Sequence, residues 1–147
     1  MTANPTAFTD AEATNESSRS SFIYRDLNLN FSKHPITGKI STLSDVEAVK
    51  RSIRNLINLN TYDKPFHPEI SGRVRELLFE NVTPIVADIL ESQISSVIGQ
   101  YEPRAELISV NVIDNSDRNE YIVKIQFYVV NAPGNIEELT TSLERLR

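Results

Sequence analysis

A chain of 147 residues with 39% hydrophobic and 24% charged residues has enough apolar content for one domain with a buried core. Its net charge is −5 with no basic stripe, which argues against nucleic acid or an anionic membrane surface as partner. It has no cysteine, so disulfides, thiolate metal sites and cysteine nucleophiles are excluded and folding rests on apolar burial. No apolar run approaches the roughly 18–20 residues of a membrane span, and the N-terminus lacks the basic start and apolar stretch of a secretory signal. The expectation is a cytosolic product.

Residues 1–20 are rich in Ser, Thr, Ala and Asn and hold one large apolar residue besides the initiator, Phe8. Such a stretch cannot bury enough surface to offset its ordering entropy, so a flexible N-terminal arm is expected. From Phe22 to Phe31 the pattern approaches alternation. Phe22, Tyr24 and Asp26 share one parity; Ile23, Arg25, Leu27, Leu29 and Phe31 share the other. The second set is mostly apolar, which predicts a strand or extended segment. His34-Pro35-Ile36-Thr37-Gly38 reads as a turn, with Pro fixing its own φ and Gly tolerating positive φ.

Ser44-Asp45-Val46-Glu47 has the form of a capping box. Val46, Val49, Ile53, Leu56 and Ile57 follow at helical spacing, predicting a helix near 44–58 with Arg51 and Arg54 off the apolar stripe. Pro65 and Pro68 break the segment 61–68 into a loop. Ser71 is the expected cap of a short second helix carrying Val74, Leu77 and Leu78 and ending near Asn81. Thr83 caps a third helix with Pro84 at its first position, where a missing N–H costs nothing. Ile85, Val86, Ile89, Leu90, Ile94, Val97, Ile98 and Tyr101 give it a wide apolar stripe, and Pro103 ends it.

The period then changes. Ile108, Val110 and Val112 alternate with Ser109 and Asn111; a polar turn follows at 114–119; Tyr121, Val123, Ile125, Phe127 and Val129 occupy one face of a long strand. These predict an antiparallel hairpin. Asn131-Ala132-Pro133-Gly134 is another turn. The last segment fits a helix through Leu139, Leu143 and Leu146, or a strand through Leu139, Thr141 and Leu143; the Thr pair favours the strand. The expected fold class is α+β: about three helices packed on one face of a small antiparallel sheet, residues 21–147 forming a single domain behind the arm.

Catalytic chemistry finds little support. His34 and His67 stand in Pro-containing loops without further ligand donors, so no metal site is expected. Neither a Gly-rich phosphate loop nor a G-x-S-x-G elbow occurs, and no cofactor is implied. Paired carboxylates, as a glycosidase needs, could be drawn from Glu69, Glu76, Glu80 and Glu102. Glu76 and Glu80, four apart on the predicted second helix, read more simply as solvated acids near Arg73 and Arg75. The distinctive tripeptide is Glu102-Pro103-Arg104, where a helix ends, Pro locks the turn and two opposite charges project from a stiff corner. Spacing alone favours a local ion pair at a helix exit.

The ordered set of motifs resembles the baseplate-wedge and sheath-initiator family of contractile phage tails, with relatives in type VI secretion baseplates. The likeness runs from Tyr24-Arg25-Asp26-Leu27-Asn28-Leu29-Asn30-Phe31 and His34-Pro35-Ile36-Thr37-Gly38 through Lys64-Pro65-Phe66-His67-Pro68-Glu69-Ile70-Ser71-Gly72 and Leu77-Leu78-Phe79-Glu80-Asn81-Val82-Thr83-Pro84. It continues in Tyr101-Glu102-Pro103-Arg104, Ile108-Ser109-Val110-Asn111-Val112 and Glu144-Arg145-Leu146-Arg147. Ser71 stands where the family usually has an aromatic residue before the Gly. The family's signature Glu-Pro-Arg falls on Glu102, Pro103 and Arg104, and the resemblance implies that this corner binds a helical core bundle of other wedge proteins. It also implies a tail sheath subunit as partner, a virion tail baseplate location, and assembly in the host cytoplasm. A structural protein that initiates the sheath by strand augmentation is thus expected, with the C-terminal segment or the long strand near 120–130 accepting the strand. Alternatives are a peptidoglycan-degrading, lysozyme-like enzyme and a type VI secretion baseplate subunit.

Overall fold

The computed structural model describes residues 24–130 and 134–146. The expected arm over 1–20 lies outside the described residues. The elements, in chain order, are β1 (Arg25–Leu27), β2 (Thr42–Ser44), α1 (Asp45–Asn58), α2 (Val74–Leu77), α3 (Pro84–Tyr101), β3 (Ala105–Asn115), β4 (Glu120–Val129) and β5 (Glu137–Glu144). β1 and β2 pair antiparallel as a small ribbon, and β3-β4-β5 form an antiparallel sheet. The α+β class and the three helices agree with the reading from sequence, and the ambiguous C-terminal segment is a strand.

The sheet is built on the period-2 pattern of β4. Tyr121, Val123, Ile125 and Phe127 are all fully buried on one face, joined by Leu139 and Leu143 of β5 and Val110 of β3. Lys124 and Gln126 point to the other face and are exposed. Helix α3 lies against β3, while α1 lies against β4 and β5. Their contribution to the core is Val49, Ile53 and Ile57 from α1 and Leu90, Ile94 and Ile98 from α3. Full burial of each such side chain stabilises by about 1.5–3 kcal/mol. The Tyr121 hydroxyl ties the layers together, accepting from Thr83 N (3.2 Å) and donating to Asn81 O (3.4 Å) at the start of α3.

Several expectations are corrected. The alternating run 22–31 yields only a three-residue strand among its described residues. At Asn28 the side chain accepts from Asn30 N (3.0 Å) and the backbone carbonyl accepts from Phe31 N (2.9 Å), which bends the chain out of the extended form. Leu27, Leu29 and Phe31 are consequently exposed. The helix predicted at 44–58 forms, but the capping box does not. Ser44 makes no side-chain cap bond, and the Asp45 carboxylate instead accepts from Tyr24 N at 3.1 Å.

The second helix is a single turn, not a run from 71 to 81. The Ser71 hydroxyl is engaged with Thr61 Oγ1 at 3.1 Å, and Arg73 sits in the left-handed region with φ 48°. Gly72 fits tightly there: a Cβ on it would lie 3.1 Å from Val74 Cγ2 and 3.7 Å from the Leu56 carbonyl oxygen. Helix α3 starts as expected, with Thr83 Oγ1 accepting from Val86 N at 3.4 Å. Its apolar residues do not all face inward, however: Ile85 and Ile89 lie on the solvent side. Finally, β4 is the central strand, so the long strand near 120–130 offers no edge.

Candidate functional site

Glu102-Pro103-Arg104 joins α3, the longest helix described, to β3, the longest strand described. Glu102 N still donates to Ile98 O (2.9 Å), but Pro103 disfavours helical geometry at Glu102, whose φ and ψ are −123° and 75°. Glu102 O then accepts from Ala105 N (3.1 Å), and Arg104 O accepts from Val130 N (2.9 Å), locking the corner to β4.

The carboxylate expected to project does not. Glu102 is 2% exposed, and it is met edge-on by the guanidinium two residues later: Arg104 Nε donates to Glu102 Oε1 at 2.7 Å and Nη2 to Oε2 at 2.9 Å. Such forked, charge-assisted pairing is among the strong hydrogen-bond geometries. Arg104 Nη1 reaches across to β1, donating to Asp26 Oδ1 (3.2 Å) and Oδ2 (3.1 Å). The Tyr24 ring lies against the same guanidinium, its centroid 5.7 Å from the central carbon, within cation–π range. Of the tripeptide, Pro103 is the exposed member.

Burial pushes the Glu102 carboxyl up. The hydrogen bonds and charge of Arg104, together with a hydrogen bond from Ser52 of α1, outweigh it and hold the group below the usual carboxylate range. Hydrogen bonding to Glu102 raises the Arg104 guanidinium, so it remains a cation at any physiological pH. The corner is therefore a closed cluster of Tyr24, Asp26, Ser52, Glu102 and Arg104, drawn from β1, α1 and the α3–β3 junction. Asp26 and Tyr24 were not singled out from spacing, although their shared parity was visible. Nothing in the sequence pattern marked Ser52.

The other acids do not assemble. Glu69 is exposed and paired with His67 Nδ1 at 3.0 Å; its own backbone N–H and His67 hold its carboxyl low. Glu76 sits in α2 and accepts a 3.4 Å bond from Thr61, while Glu80 lies beyond the helix end, so the predicted four-residue helical pairing is absent. A general acid needs a raised pKa, and the shifts resolved at Glu69 and Glu102 run the other way. His34 closes its turn, Nδ1 accepting from Ile36 N and Thr37 N at 3.3 Å each. Among the described residues no three His, Cys, Asp or Glu side chains group as metal ligands, and no helix is long and apolar enough to cross a membrane.

No family model matches the chain. Its fold is shared with a Geobacter sulfurreducens protein carrying a tail-lysozyme name, at TM-score 0.61 and 16% identity over 67% of this chain and 89% of that one. It is also shared with a chain of the anti-feeding prophage baseplate, at TM-score 0.56 and 21% identity over 84% and 87%. In sequence the chain is 36% identical over 104 residues to the baseplate wedge protein gp25 of Enterobacteria phage T4, covering 71% of this chain and 79% of the relative. A match of that identity and extent, on a fold also found in a solved baseplate, means that the chain belongs to the family of the baseplate wedge protein gp25.

Proposed function

We propose that the chain is a structural, non-catalytic subunit of a contractile-tail baseplate, located in the tail of the particle and assembled in the host cytoplasm. In this reading the Glu102–Arg104 corner docks on the helical core bundle of neighbouring wedge proteins. The observation that carries it is the construction of the corner. Its charges are satisfied internally, so a rigid, pre-formed apex at Pro103 is offered at little ordering cost. Purified wedge subunits mixed with this chain test it: the wild type should co-sediment with them, and Pro103→Asp, on an exposed apex, should not. Equal co-sedimentation of the two would refute docking at this corner.

The sheath subunit is the second proposed partner. β3 and β5 are the edges of the three-stranded sheet. β3 is interrupted by a register shift between Leu107 and Ser109, a feature that discourages strand addition, whereas β5 is regular. An added strand would gain main-chain hydrogen bonds along β5. Lysines on this edge, Thr140→Lys with Ser142→Lys, should leave the subunit in the baseplate but abolish the first sheath ring. Normal sheath growth on that variant would remove β5 from the proposal.

The lysozyme reading has a direct assay. Incubation with peptidoglycan should produce no loss of turbidity. Clearing that disappears in Glu102→Gln or Glu80→Gln would replace the structural assignment.

A further inference from the structure

We propose that the turn-rich ribbon from Leu27 to Ser44 is a docking surface for an acidic, apolar segment of a neighbouring protein subunit, separate from the apex at Pro103. Leu27, Leu29, Phe31, Ile36 and Ile40 are all exposed on it, Phe31 at 64% and Ile36 at 89%. Clustered exposure of large apolar side chains marks an interaction site more often than chance scatter does. Phe31 moreover holds φ 51°, a strained conformation for a bulky side chain.

Charge selects the occupant. The chain carries −5 overall, yet from Leu27 to Ser44 it has Lys33, Lys39 and His34 and not one Asp or Glu. A partner segment bearing carboxylates among apolar residues complements that surface. Two lysines attract an anionic bilayer too weakly for anchoring, so a protein partner is favoured over a lipid surface. A second copy is disfavoured because the ribbon would face its own lysines. The chain's residues 1–20 are acidic but hold only Phe8 to set against five apolar side chains.

The ribbon is also held ready. Tyr24 and Asp45 exchange hydrogen bonds at its base, Arg104 grips Asp26, and Arg51 Nη2 donates to Asn30 Oδ1 at 3.2 Å. Arg104 is thus a positioning residue for this surface, fixing β1 against the α3–β3 junction.

The inference rests on the wedge-subunit reading, and the experiment separates the two. A photo-reactive benzoyl-phenylalanine replaces Phe31 in assembled tail particles, and the cross-linked peptide is sequenced. The expected product is a segment of another subunit with at least two acids among apolar residues. Cross-links to residues 1–23 of the same chain, to a second copy or to lipid, or none at all, overturn the proposal. In parallel, Lys33→Glu with Lys39→Glu should lower incorporation into particles about tenfold while leaving the melting temperature of the isolated chain unchanged. If the wild type enters particles and the variant enters equally, this inference alone falls; if the wild type is absent from particles, the wedge reading falls with it. Flotation of the wild type with anionic phosphatidylglycerol vesicles, lost in the lysine variant, would transfer the surface to lipid.

Discussion

Arg104 makes contacts that no other side chain can reproduce, since a planar fork serves Glu102 on two nitrogens and Asp26 on the third. Removing it strands a carboxylate that is almost fully buried. Arg104→Ala should therefore cost about 3 kcal/mol of unfolding free energy in urea titration. Asp26→Asn should cost only about 0.5–1 kcal/mol, because that carboxylate is 38% exposed. Acid supplies a second handle. The folded pKa of Glu102 lies below its unfolded value, so its contribution is complete above about pH 5 and is lost as pH falls through the folded pKa. In Arg104→Ala the buried carboxyl has lost its main partner and takes up a proton readily, so the stability gap between wild type and variant should narrow from pH 7 to pH 3. A gap that stays constant would mean that Glu102 is not the group stranded. The tripeptide could be found in the sequence, but its inward turn could not. Proline predicts where a helix stops, whereas Glu102 turns inward because Ser52 and the folded-back Arg104, together with Asp26, satisfy the charges.

Among the elements, the strongly periodic ones were legible and the locally competed ones were not. β4 and α3 bury long apolar sets, and the limits of α3 follow from Thr83, Pro84 and Pro103. The ribbon and α2 are decided by side chains that bond back to the main chain or to each other: Asn28 at the turn, Asp45 to Tyr24, Ser71 to Thr61. The two helix starts make the difference measurable. Thr83→Ala removes a formed cap bond and should cost about 1 kcal/mol. Ser44→Ala removes none, since that side chain makes no cap bond, and should change stability by less than about 0.5 kcal/mol. Equal losses at both positions would show that the capping box forms in solution after all.

At the scale of the whole molecule, the sheet divides into a central strand paired on both sides and two edges, with the ribbon at residues 25–44 attached through a few polar contacts. Local opening follows such divisions, because segments with few buried apolar contacts open at lower free energy than the core. Amides of β4 should exchange with deuterium only through global unfolding, and those of the ribbon much faster. Asp26→Asn then tests whether the corner acts on the ribbon specifically. Cutting one tether should raise exchange in the ribbon about two- to fivefold, matching the 0.5–1 kcal/mol expected for a partly exposed pair, and move β4 by the same free energy or less. A larger effect in β4 than in the ribbon would assign Asp26 to the stability of the core, leaving the exposed apolar surface free of the Glu102–Arg104 corner.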